Sequence, residues 1–96
     1  MPVTINGQTF TAIIDSGAQG NYISPSIVNK EQLEWNYKKD LYRLSTVEGC
    51  EVAYEDGFVT QETMQLPVLI LGQDENITFD ITDIVDYQLI LGILWL

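Results

Sequence analysis

Hydrophobic and polar positions alternate along most of this chain. Val3 and Ile5 precede Asn6-Gly7, and Phe10, Ala12 and Ile14 follow on alternate positions. A period of two marks a half-buried strand. Asn-Gly between two such runs predicts a two-residue hairpin, because both residues accept positive φ. The second arm of that hairpin ends at Asp15. One helical start follows, with Ser24 as N-cap, Pro25 at the first helical position and then "SIVNKEQL", which predicts a short helix. From Leu41 the strand pattern returns in "LYRLSTV", "CEVAYE", "GFVTQETMQLPVLIL", "ITFDITDI" and "YQLIL". Turn material separates these runs at Glu48-Gly49, Glu55-Asp56-Gly57 and Gly72-Gln73-Asp74. The terminal "YQLILGILWL" reads as a buried strand leading into a short helix, since its apolar run is well short of the about 20 residues a membrane helix needs. No repeat, linker or low-complexity tract interrupts the pattern. The sum predicts a mainly β domain with one or two short helices, either a small closed barrel or a sandwich.

Composition narrows the setting. Residues 1–96 suffice for one small domain with a single core, and a hydrophobic content of 46% argues against disorder. The single cysteine, Cys50, excludes an internal disulfide and suits a reducing compartment. Thr4, Asn6 and Gln8 interrupt any apolar run near the start, so no signal segment is expected there. Asn76-Ile77-Thr78 matches a glycosylation sequon, which has meaning only on a secretory route. The net charge is −10, and residues 49–96 carry nine acids and no base. A phosphate-binding surface needs clustered Lys and Arg, so direct nucleic-acid binding by this segment is not expected. The acids are expected on a solvated face.

Candidate chemistry is limited by what is missing. With no histidine in the chain, Ser-His-Asp and Cys-His catalysis and the commonest zinc sites are excluded. No Gly-rich phosphate loop is present, and neither a metal nor a cofactor is expected. Cys50 lies between Glu48 and Glu51, whose charges disfavour a thiolate, so a packing role is expected for it. What remains is Asp15-Ser16-Gly17. Taken alone, this triplet has two readings: an ordinary turn, in which Asp and Ser bond their own backbone and Gly supplies the unusual φ, or a reactive carboxylate mounted on a strand.

Its neighbours favour the second. Ile13-Ile14 precede the triplet, Ala18 follows it, Tyr22-Ile23 resume an apolar strand, and Ile90-Leu91-Gly92 stands near the C-terminus. This arrangement resembles the retropepsin-type aspartic proteases. "IDSGAQGNYIS", "FDIT" and "YQLILGILWL" are more specifically similar to the protease domain of Ty3/gypsy-type LTR retrotransposon polyproteins, particularly fungal ones. The resemblance runs from Val3 to Leu96 in the expected order and spacing.

The resemblance implies a small closed β-barrel of the retropepsin type and an aspartic endopeptidase that works as a homodimer. Asp15 would be the catalytic carboxylate, one from each protomer. Ser16 would bond across the dimer, Gly17 would allow the tight turn close to substrate, and Ala18 would complete the loop. Gln19 would bind substrate backbone. The hairpin around Val47-Glu48-Gly49-Cys50 would be the flap, with Val47, Glu48 and Gly49 covering an extended substrate by strand addition. Ile90, Leu91 and Gly92 would support the loop from beneath. The implied partners are a second copy and a polypeptide substrate, the element's Gag-Pol polyprotein, without direct nucleic-acid or membrane binding. The implied setting is the cytoplasm or a virus-like particle.

Three features depart from retroviral members of that family. The flap has one glycine instead of a glycine-rich tip. An acid and an arginine that pair beside the active site are replaced by Gln19 and Ile93, both absent together, so neither leaves an unpaired buried charge. Only 14 residues precede Asp15 and four follow Gly92, as expected of a piece excised from a polyprotein whose terminal dimer strands lie elsewhere. The alternatives are a catalytically inactive or domesticated dimerisation or binding module of the same fold, and an unrelated acidic β-domain with a chance triplet.

Overall fold

The computed structural model describes residues 1–15, 20–44, 46–47, 50–51, 57–83 and 87–92, with the backbone alone at 46–47 and 50–51. The elements are β1 (Pro2–Ile5), β2 (Gln8–Asp15), β3 (Tyr22–Ile23), α1 (Pro25–Lys30), β4 (Trp35–Arg43), β5 (Thr46–Val47), β6 (Cys50–Glu51), β7 (Phe58–Thr63), β8 (Leu66–Ile70), β9 (Gln73–Ile77), β10 (Asp80–Ile81) and β11 (Leu89–Gly92). Among the described residues, nine strands form one sheet in the order β4-β7-β10-β3-β11-β2-β1-β8-β9, and β5 and β6 pair with each other. The sheet is mainly antiparallel and curls into a half-barrel, so the mainly β architecture expected from the sequence is the one observed.

Local chemistry explains the connections. Asn6 and Gly7 take φ of 53° and 78°, closing the β1–β2 hairpin with Ile5 opposite Gln8 as their sequence predicts. Ser24 caps α1, its side chain accepting from the Ser26 amide at 3.1 Å, and Pro25 occupies the first turn. The helix stops at Lys30, short of the end of "SIVNKEQL". Gln32 turns to a φ of 52°, the Leu33 amide donates to the Val28 carbonyl at 3.0 Å and the Gln32 amide to that of Asn29 at 3.3 Å. This Schellman closure satisfies the last carbonyls and returns Leu33 to the core.

Three sequence expectations are corrected. The run 57–71 is two strands, not one: β7 joins β4 and β10, whereas β8 joins β1 and β9 on the far side of the sheet. The turn placed at Gly72-Gln73-Asp74 is instead Leu71-Gly72, at φ of 52° and 78°, and Gln73 and Asp74 already belong to β9. Strand structure resumes at Trp35 rather than Leu41. The short helix expected after β11 and most of the "CEVAYE" run lie outside the described residues.

The central strands are buried on both faces. Phe10 and Ala12 of β2, with Ile14 packed against them, join Leu89 and Leu91 of β11 and Ile27 and Val28 of α1 in the larger core. On the opposite face Ile13 and Ile90 join Tyr22, Leu44 and Val59, with Tyr42 and Tyr87 packed around them. A strand covered twice must be apolar at consecutive positions, which accounts for "AII" and "LIL" where simple alternation fails.

Candidate active site

Asp15 is the last residue of β2 and only 9% exposed. Burying a carboxylate costs several kcal/mol unless hydrogen bonds or a shared proton compensate, so its position demands a structural or chemical reason. The frame beneath it is rigid. β11 runs parallel to β2, with Ile90 opposite Ile13, Leu91 opposite Ile14 and Gly92 opposite Asp15. On its other side β11 pairs antiparallel with β3, Leu89 facing Ile23 and Ile90 facing Tyr22. The strand bearing Ile90, Leu91 and Gly92 is therefore clamped between the strand that enters the Asp15 segment and the strand that leaves it. Ile90 and Leu91 are 1% and 0% exposed.

Gly92 closes this frame. Its amide donates to the Asn21 side-chain oxygen at 2.9 Å, and the Asn21 carbonyl accepts from the Asp80 amide at 2.8 Å. Asp80 carries a polar cluster. Its carboxylate accepts from Lys38 Nζ at 3.0 Å and, through its other oxygen, from the Tyr42 hydroxyl, while Lys38 also lies 3.5 Å from Glu62. Burial alone would depress the Lys38 ammonium, but the Asp80 hydrogen bond and the Asp80 and Glu62 charges outweigh it and raise its pKa. The Tyr42 phenol is pushed well above its ordinary range, first by burial, then by its bond to Asp80 and by a bond with Tyr22. Lys38, Asp80, Tyr42 and Tyr22 thus link β4, β10 and β3 into one network on the Asn21 side of the frame.

The sequence-predicted residues divide accordingly. The structure brings together Asp15, Ile90, Leu91 and Gly92. Ser16, Gly17, Ala18 and Gln19, and Glu48 and Gly49 of the expected flap, lie outside the described residues. Val47 pairs with Cys50 and Thr46 with Glu51 in the antiparallel β5–β6 ribbon, the strand pairing that the sequence predicts on either side of Glu48-Gly49. Sequence reasoning assigned no role to Asn21, Lys38, Tyr42 or Asp80. The available signal was Asp80 itself, a charge inside the apolar "ITFDIT" that needs a partner once the strand is buried.

A family model described as the PEG10/RTL1 protease domain matches residues 11–96. The chain belongs to this protease-domain family. Among solved structures, the crystal structure of the retroviral protease-like domain of Ddi1 from Leishmania major is similar at a TM-score of 0.64, covering 95% of this chain and 68% of that one. Sequence identity is 20%, so this likeness establishes the fold alone. Family and fold together make the chain a retropepsin-like protease domain, with the resemblance confirmed at that level.

Proposed function

We propose that this domain is an aspartic endopeptidase whose active site is completed by a second copy, each protomer supplying one Asp15. The observation that carries this reading is Asp15 itself, a buried carboxylate at the end of β2, opposite Gly92, in a chain of a protease-domain family. In a two-fold dimer the two carboxylates would lie side by side. Like charges that close cannot both ionise, so the pair shares one proton. The ionised carboxylate takes a proton from a water, whose oxygen bonds to the peptide carbonyl carbon, while the protonated partner donates to the carbonyl oxygen. Collapse of the resulting diol breaks the C–N bond: the carboxyl protonated by the water gives its proton to the leaving nitrogen, and the other carboxylate takes one from a diol hydroxyl, which restores the single shared proton.

Around this centre, Ser16 would bond across the dimer, Gly17 and Ala18 would shape the loop, Gln19 would bind substrate backbone, and the 47–49 hairpin would close over it. The substrate would be a Gag-Pol-type polyprotein of an LTR retroelement of the Ty3/gypsy kind, processed in the cytoplasm or a virus-like particle, with residues 1–96 one domain of that longer chain.

Asp15→Asn tests the assignment. The amide occupies nearly the same volume but cannot act as the base, so cleavage of a precursor spanning the domain is lost while the circular dichroism spectrum is kept. Undiminished cleavage by Asp15→Asn refutes the proposal. A wild-type domain that dimerises yet cleaves nothing points instead to the binding-module alternative.

A further inference from the structure

The β3–β11 ladder ends two residues short of where it is needed. Its last pair is Ile90 with Tyr22, so the backbone pairing stops short of Gly92, the residue opposite Asp15. There the Asn21 side chain takes over, its Oδ1 accepting from the Gly92 amide at 2.9 Å. Asn21 is itself held, because its carbonyl accepts from the Asp80 amide at 2.8 Å and Asp80 is anchored by Lys38 and Tyr42. The segment that starts at Asp15 and returns at Gly20-Asn21 thus has both ends fastened to the same glycine, one by strand register and one by a side chain.

We infer that Asn21 is a positioning residue for the Asp15 centre, a role that rests on the reading of Asp15 as the catalytic carboxylate. Its amide oxygen extends the short β3 by one hydrogen bond and fixes the return of the Asp15 segment against β11. β3 has only two residues, and its ladder with β11 does not reach Gly92, so on that side the return depends on the Asn21 side chain. The residue must offer an acceptor at this reach, which Asn and Asp do and Ala does not.

Two readouts test this. In backbone amide exchange followed by NMR, Asn21→Ala speeds exchange of the Gly92 amide about fivefold or more, the loss of one hydrogen bond, while Asn21→Asp keeps it slow. In peptide cleavage, Asn21→Ala lowers kcat about tenfold with KM little changed, because an interaction that orients the carboxylates is lost and substrate binding is not. Asn21→Asp keeps most of kcat but moves the alkaline limb of the pH profile upward, since an added negative charge holds the shared proton more tightly. A purely structural role would lower the folded fraction without moving kcat per folded dimer or the pH limb, and either result overturns the inference. So does a Gly92 amide that exchanges no faster in Asn21→Ala. If Asn21→Ala does not fold, Asn21→Asp decides through its pH limb and its Gly92 exchange. If wild type itself cleaves nothing, the proposed function fails on its own, and the exchange result still decides whether Asn21 holds Gly92.

Discussion

At the centre of the sheet, β11 is buried at all four positions and paired on both sides, while at its ends β4 and β9 are, among the described residues, paired on one side and mostly exposed. The two regions keep their places by different means. The centre is held by apolar area and by register, and register is what puts Gly92 opposite Asp15. β4 depends on local devices. Its register shifts between Tyr37 and Tyr42, and Lys38, at the start of that irregularity, reaches inward to Asp80. A bulge and an inward-pointing charge are also what keep an open edge from templating another strand. The carboxylate therefore rests on the part of the molecule that is hardest to perturb, and the polar network beside it ties the adaptable edge to that frame.

The largest contrast should appear on truncating one leucine in each region. Leu91, 0% exposed, should cost about 2–5 kcal/mol as Leu91→Ala. Leu41, 57% exposed on β4, should cost about 0.5 kcal/mol or less as Leu41→Ala. Urea titrations of both variants measure the difference. Equal losses would remove the distinction between a packed centre and a locally managed edge.

Next comes the network joining them. Asp80→Ala should cost about 1–3 kcal/mol, because Lys38 and Tyr42 lose their shared acceptor in a partly buried site. The pH dependence has a definite sign. Both the Lys38 ammonium and the Tyr42 phenol bind their protons more tightly in the folded chain. Their contribution is complete below about pH 10, where the unfolded groups are also protonated, and is lost as pH rises above it. Thermal melts across this alkaline range should show a steep fall in wild type and a shallower one in Asp80→Ala. Parallel curves would mean that the network does not couple to proton binding.

The smallest effect sharpens the comparison at the hairpins. Asn6-Gly7 near the centre and Leu71-Gly72 at the edge adopt nearly the same pair of positive φ values. Asn adopts that conformation at lower cost than Leu, and Leu71 is 70% exposed, so little burial is at stake. Leu71→Asn should stabilise the domain by about 1 kcal/mol, read as a higher urea midpoint with an unchanged slope. A lower midpoint would show that Leu71 contributes packing the exposed turn does not suggest.

The same division decided what the amino-acid pattern could reveal. The β1–β2 hairpin, the Ser24 cap and the central strands were legible because burial imposes periodicity and turns impose residue types. "WNYKKD" and "QDEN" were not, since an edge strand exposed on most positions carries no hydrophobic period, and β4 and β9 were placed late or taken for a turn. The break between β7 and β8 escaped for another reason: both halves are strand-like, and only tertiary pairing sends them to opposite sides of the sheet. At the site, Asp15 and Ile90-Leu91-Gly92 could be found from local motifs. Asn21 and Asp80 could not, because their partners Gly92, Lys38 and Tyr42 lie 38 to 71 residues away in the chain.

The central claim is that each protomer brings half of a catalytic pair. Mixing wild type with an excess of Asp15→Asn protein tests it most directly, because random exchange fills most wild-type protomers into mixed dimers that hold one carboxylate. At nine parts of Asp15→Asn to one of wild type, cleavage per wild-type chain should fall about tenfold once exchange is complete, as expected for a symmetric two-chain site. Cleavage per wild-type chain that stays constant through the titration would contradict a site shared between two copies.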